Sequence, residues 1–211
     1  MMSEVIEQRT EEWRLARAGK LTASRFHDIL AVKKDGKPTA AREKCKREVV
    51  FERLAATARH EISGHALRWG TDVETFGKEA FEIETGLVLV ESPFVTHPQY
   101  PFIGCSPDAL IGGDGGYESK CPMDEGVHIE TWLSGMPDEH VPQVQGSMFV
   151  TGRQWWEFVS FDPRMAPRFQ LYHQRIERDE AYINGVLKPG LLQFEKEVVA
   201  MMKLLEAKAG I

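Results

Sequence analysis

The chain reads as an α/β domain with a mixed central β-sheet flanked by helices. Three observations predict this. Helix-forming sequence fills most of Thr22 to Thr85, a run of short apolar strands punctuated by Gly and Pro follows, and helical patterning returns from Glu139 onward. Elements in that order bury their apolar faces as packed layers around one core. The 211 residues suit a single domain, 1–211, since no repeat, low-complexity stretch or linker divides them.

Thr22 to Leu30 is expected to be a short helix. Ala40 to Ala58 is a longer one, with a periodic stripe of Val49, Val50 and Leu54. Leu67 to Thr85 is a third, closed by Gly86 as its C-terminal cap. Leu87 to Thr96 is expected to be a strand. A second runs apolar from Ile103 to Ile111, and the cluster Gly112-Gly113-Asp114-Gly115-Gly116 turns it back into Tyr117 to Cys121, which Pro122 ends. Glu139 to Val150 reads as a helix with Gly152 near its end. Gln154 to Phe161 and Phe169 to Glu177 are strands, and Asp179 caps a helical region that reaches about Ala207, interrupted at Pro189-Gly190. Trp155, Trp156, Phe158, Val159 and Phe161 are core strand residues, with a base-stacking platform the alternative for one tryptophan.

Apolar residues make up 42% and charged residues 27%, as in ordinary globular proteins. Met1 to Glu12 is polar and has no signal-peptide core, and no apolar run reaches the length of a membrane span, so no membrane partner is expected. Cys45, Cys105 and Cys121 lack Cys-x-x-Cys spacing, which argues against an iron–sulfur cluster and for reduced thiols. The seven histidines show no paired metal spacing. The net charge of −6 is unevenly spread: residues 1–60 carry 14 Lys and Arg against 9 Asp and Glu, the remainder 12 against 23. Arg17, Lys20, Arg25, Lys33 to Lys37 and Arg42 to Arg47 therefore suit a local phosphate-binding groove, the alternative being solvated helix and loop faces. The acidic remainder argues against indiscriminate coating of DNA.

The chemistry concentrates at Ser106-Pro107-Asp108 and Glu118-Ser119-Lys120. Strand residues two apart face one way, so Glu118 and Lys120 share a side, and a hairpin return brings Asp108 beside Glu118. Two carboxylates at one point are costly unless a divalent cation neutralises them, and hard oxygen ligands suit Mg²⁺ or Mn²⁺. Lys120 on that face can hold an attacking water or the charge of a phosphodiester transition state. The alternative is a glycine-turn hairpin with solvent-facing charges.

The string GCSPDALIGGDGGYESKCP, Gly104 to Pro122, resembles the core of the lambda-exonuclease family, phage-type recombination exonucleases with a YqaJ-like viral recombinase domain in the PD-(D/E)xK nuclease superfamily. The pattern of Trp13, Arg17, Gly19 and Thr22-Ala23-Ser24 is similar to the family's N-terminal segment. Ala66 to Gly70 with Glu74, Glu91-Ser92-Pro93, Pro142 to Gln145 with Ser147-Met148, Asp162 to Met165 and Ile176 to Glu180 fit in the same order, so the likeness covers roughly residues 9–182. It implies a PD-(D/E)xK core and a processive 5′→3′ exonuclease on double-stranded DNA that releases mononucleotides and leaves 3′ overhangs for annealing recombination. It also implies Asp108, Glu118, the Ser119 carbonyl and Glu74 as metal ligands, Lys120 as the catalytic lysine and Gln143 as its companion. Arg17, Ser24 and Ser106 fall where the family holds a 5′-phosphate. Leu67 falls where it places an apolar wedge between terminal base pairs, the alternative being a core leucine. The expected cofactor is Mg²⁺, with Mn²⁺ as substitute and two ions per site. The expected partners are duplex DNA with 5′-phosphorylated ends, two further copies in a ring-shaped homotrimer, and a phage single-strand annealing protein in the cytoplasm of a bacterial host. The family's arginine after Cys121-Pro122 is absent, replaced by Met123-Asp124-Glu125. Another PD-(D/E)xK endonuclease, or a non-catalytic DNA-binding module on the same scaffold, remains the competing class.

Overall fold

The computed structural model describes Gln8, residues 10–58 and residues 64–210. The first helix, α1 (Glu11–Arg17), begins at Thr10, whose hydroxyl accepts from the Trp13 N–H at 3.2 Å; acids in its first turn and Arg17 in its last suit the helix dipole. The expected helix from Thr22 divides into β1 (Leu21–Thr22), a 3₁₀ turn at Ala23–Arg25 and α2 (Phe26–Leu30). Next, α3 (Ala40–Ala55) is capped by the Thr39 hydroxyl. Its Val49 and Val50 are buried, but Leu54 is exposed, because the inward stripe runs instead through Arg42, Cys45, Val49 and Glu52. Then α4 (His65–Thr85) ends as expected at Gly86, whose φ of +70° lets its N–H return to the Glu82 carbonyl.

The two long strands expected next are each cut in two. Leu87 to Thr96 becomes β2 (Leu89–Val90) and β3 (Val95–Thr96), and Ile103 to Ile111 becomes β4 (Ile103–Cys105) and β5 (Ala109–Ile111). Pro93 and Pro107 mark the breaks, where a residue without an N–H leaves the ladder and the chain changes sheet. One sheet has order β1-β4-β3. The larger has order β2-β5-β6-β7-β8, built with β6 (Gly115–Lys120), β7 (Trp155–Phe161) and β8 (Leu171–Glu177). In the larger sheet β6 and β7 are parallel and the other pairs antiparallel, a mixed sheet as expected. Gly115 and Gly116 belong to β6 and not to the turn. A Cβ on Gly116 would stand 2.2 Å from the Trp156 ring, and one on Gly115 2.2 Å from that of Trp155.

Between β6 and β7 lie α5 (Glu125–Ser134) and α6 (Val141–Thr151), and β8 is followed by α7 (Glu180–Tyr182) and α8 (Lys188–Ala209). Sequence patterning does not foresee α5: it buries His128 and Thr131 while exposing Val127, Ile129 and Leu133, the reverse of an amphipathic stripe. Asp179 caps α7 through the Tyr182 N–H as expected, but nothing breaks at Pro189-Gly190. A π turn at Ile183–Leu187 joins α7 to α8, and Pro189 sits in the first turn of α8, where an N–H is not needed.

These elements form layers. On one face of the larger sheet α4 packs Val73 and Phe81 on Tyr117, Val159 and Phe161; on the other, α6 packs Val144 and Met148 on Trp156 and Phe158. The smaller sheet is enclosed by α2, α3 and α8. Bidentate pairs of Arg42 with Glu197 and Arg53 with Glu195 fasten α3 to α8. Trp156 is fully buried, so it packs the strand and is no base-stacking platform, while the half-buried Trp155 ring packs on the core and carries the Arg175 guanidinium at 3.8 Å. Among the described residues no helix is long and apolar enough to cross a membrane.

Candidate active site

The pairing of β5 with β6 ends at Ala109 opposite Tyr117, while β6 continues to Lys120 along β7. Asp108 therefore stands at a fork, beside the part of β6 that no longer pairs with β5. Its Oδ2 accepts from the Ser119 N–H at 2.8 Å and the Ser119 hydroxyl at 3.3 Å. Burial pushes its carboxyl up to about 7, with the charges of Glu118 and Glu74 adding to the effect and Lys120 and the Ser119 N–H opposing it.

Glu118 and Lys120 share a face as the strand period requires. Lys120 Nζ donates to Glu118 Oε1 at 2.6 Å and to Gln143 Oε1 at 3.2 Å, and Gln143 Nε2 donates to the same Glu118 oxygen at 2.6 Å. Gln143 reaches them because α6 lies against that face. Burial works against the Lys120 charge, but Glu118 and Asp108 outweigh it and hold the ammonium above its ordinary value. Lys120 is thus a fixed cation, not a neutral base.

Glu74 on α4 adds to the field at Asp108 and also pairs with Lys78 at 2.8 Å. Among the described residues no three of His, Cys, Asp and Glu converge as a ready cage for a metal. Carboxylates repel one another, and here Lys120 and Lys78 balance the acids. Still, the donors are hard oxygens, and Glu118 and Glu74 bring further negative charge to the Asp108 carboxyl that burial already strains, so the residues fit a divalent cation of the Mg²⁺ type.

A second cluster lies one step up the chain. Ser106 Oγ accepts from Arg17 Nη1 at 2.9 Å and from the Trp13 indole at 3.0 Å, while Arg17 Nη2 reaches Ser24 Oγ at 3.3 Å. Arg17, Ser24 and Ser106 are thus brought together, with the Arg17 guanidinium over the Trp13 ring. Beside them a cavity of about 50 Å³ is lined by Arg14, Arg17, Arg25 and Glu52 among others. Glu52 escapes sequence reasoning, and Arg25, expected to serve a phosphate-binding groove, is engaged by it: Glu52 takes the Arg25 fork at 2.7 and 3.0 Å, a contact across 27 residues that no spacing rule reports, and the Gly19 N–H at 2.9 Å. Lys33 to Lys37 form an exposed turn closed by the Lys33 N–H to the Lys37 carbonyl. The Leu67 side chain lies outside the described residues.

The model of the YqaJ-like viral recombinase domain matches residues 12–154. A crystal structure of LHK-Exo in complex with dAMP is similar at 39% identity and a TM-score of 0.87, over 95% of this chain and 98% of that one. A further structure of this alkaline exonuclease, from Laribacter hongkongensis, gives 38% and 0.86 over 95% and 98%. A phage related exonuclease from Haemophilus somnus 129PT shares the fold at 17% identity and a TM-score of 0.69, over 88% of this chain and 96% of that one. No curated protein matches. Forked strands carrying Asp108 and Glu118-Ser119-Lys120, with α4 and α6 on opposite faces, are the PD-(D/E)xK arrangement, and the chain belongs to the YqaJ-like viral recombinase domain family of lambda-exonuclease-like proteins.

Proposed function

We propose that the chain is an Mg²⁺-dependent nuclease that degrades one strand of duplex DNA from its end in the 5′→3′ direction, releasing mononucleotides and leaving a 3′ overhang. The observation that carries this reading is the joint placement of two sites. Glu118, Lys120 and Gln143 are locked together beside Asp108, and the Arg17–Ser106 cluster begins two residues from that acid. Asp108, Glu118 and the Ser119 carbonyl would hold the cation, with Glu74 as a further carboxylate. When bound, such an ion supplies neutralisation of the phosphodiester and a lower pKa for the attacking water. The Lys120 ammonium, held by Glu118 and Gln143, faces the charge that develops on the phosphorus oxygens. Arg17 with Ser24 and Ser106 grips the terminal 5′-phosphate, because a guanidinium and two hydroxyls match a phosphate's acceptors. The dAMP held by LHK-Exo, a deoxynucleoside monophosphate, supports a mononucleotide product.

The family resemblance extends the proposal to a homotrimeric ring around the duplex, where closed symmetry makes escape rare and digestion processive, and to an annealing protein as partner. The direction of digestion is tested on a linear duplex labelled at either the 5′ or the 3′ end, in Mg²⁺. Early release of the 5′ label as a mononucleotide, with the 3′ label retained in long single strands, is expected. Early release of the 3′ label overturns the reading.

A further inference from the structure

Arg164 belongs to neither cluster, yet the fold holds it at the end of the sheet that carries Glu118 and Lys120. Lys120 pairs with Ser160, so the chain reaches Asp162 two residues beyond that register, at the same end of the sheet. The buried Asp162 carboxylate takes Arg164 at both oxygens, Nε at 2.9 Å and Nη2 at 2.7 Å. Nη2 also donates to the Met123 carbonyl at 2.9 Å, three residues past Lys120, and the guanidinium lies 4.8 Å from the Trp69 ring centroid, five residues before Glu74.

This pattern exceeds what neutralising Asp162 requires. With Nε and Nη2 occupied and the guanidinium over the Trp69 ring, the remaining edge, Nη1, has a fixed direction. The side chain is 41% exposed, and the acid that approaches Nη1 is Glu125, at 3.9 Å and itself 69% exposed. A pre-oriented guanidinium at the end of the sheet that carries the acids offers an incoming polyanion the positive charge that the carboxylates deny it.

We propose that Arg164 is a phosphodiester-binding residue, with Asp162 its positioning residue, and that its Nη1 edge holds a backbone phosphate of duplex DNA next to the acid site. The identity of the ligand rests on the nuclease reading above. The test is equilibrium binding of a 5′-phosphorylated duplex to the full chain in Ca²⁺, measured by fluorescence anisotropy across a salt series. Arg164→Gln should weaken binding by on the order of three- to tenfold and lower the slope of log affinity against log salt by about 0.9, the value of one phosphate contact. Arg164→Lys should retain most of that slope. The double variant Asp162→Asn with Arg164→Gln removes the buried charge together with its partner, and should show the same loss of slope without an unpaired carboxylate. Variants with a lowered Tm and a wild-type slope would reduce Arg164 to a brace and overturn the proposal, as would a wild-type chain that binds no duplex. Failure of the nuclease reading shows separately, as a wild-type chain that binds duplex but does not cleave it in Mg²⁺.

Discussion

Ser106 and Asp108 stand two residues apart in the crossing from β4 to β5 and serve different clusters: Ser106 Oγ accepts from Arg17 Nη1 at 2.9 Å, and Asp108 Oδ2 from the Ser119 N–H at 2.8 Å. Two residues of chain span at most about 7 Å, and Pro107 between them stiffens the step. The Arg17–Ser106 cluster and the acid site are therefore held at a fixed short spacing by the backbone itself. In the proposed reaction, that spacing sets where each cut falls relative to the strand's end.

If Arg17 grips the terminal phosphate, Arg17→Ala should slow digestion of phosphorylated ends far more than of hydroxyl ends. A charge-assisted bidentate contact contributes roughly 1.5–3 kcal/mol, a rate ratio of about ten to a hundred. Initial rates on both end types, at two salt concentrations, check this. Equal slowing of both would make Arg17 a general backbone contact.

Lys120 and Glu118 should fail in different ways although they touch. Lys120→Ala removes a donor aimed at developing charge, which costs about 3–4 kcal/mol of turnover while Mn²⁺ binding by calorimetry persists. Glu118→Gln keeps the shape but removes a ligand charge, so Mn²⁺ binding and cleavage should both fall while duplex binding survives. Loss of Mn²⁺ binding in Lys120→Ala would make the lysine structural.

Asp108 destabilises the fold that it equips. Its folded-state carboxyl is raised to about 7 from an ordinary 3.8, so the fold disfavours the ionised form. The penalty is complete above pH 7, shrinks as pH falls, and is gone below about pH 4. In chelator, Asp108→Asn should raise Tm at pH 8, by on the order of 1–2 kcal/mol of stability once partial solvent exposure is allowed for, with the gain vanishing near pH 4. A Tm gain that is independent of pH would show that the carboxyl is not the strained group.

Gly116 is needed for the approach of Trp156. Gly116→Ala would put a Cβ 2.2 Å from a fully buried ring and should cost about 1–3 kcal/mol, several degrees of Tm. Gly113→Ala, with nothing within 4 Å, is the control and should be near neutral.

The site was more legible in the sequence than the path of the chain. Glu118 and Lys120 follow from strand period alone, and Asp108 follows once a return brings β5 against β6. The helices α3 and α4 were readable from caps and periodicity. What was hidden depends on partners distant in sequence. Pro93 and Pro107 divert the chain between two sheets, and local patterning does not report which sheet a strand joins. Glycines that make room for Trp155 and Trp156 look like turn residues until β7 is laid beside β6. In α5 the buried residues are polar, His128 and Thr131, with the His128 ring bonded to Ser160 Oγ and the Phe169 carbonyl, so hydrophobic periodicity has nothing to find. The Arg25–Glu52 pair, and the contacts of Arg164 with Met123 and Trp69, are likewise visible only once the elements have packed.

The most direct measurement compares three substrates in Mg²⁺: a linear duplex with 5′-phosphate ends, the same duplex with 5′-hydroxyl ends, and a covalently closed circle. Rapid loss of the phosphorylated duplex, slower loss of the hydroxyl duplex and an intact circle are expected. Cutting of the circle, or three intact substrates despite DNA binding, would contradict the proposed function.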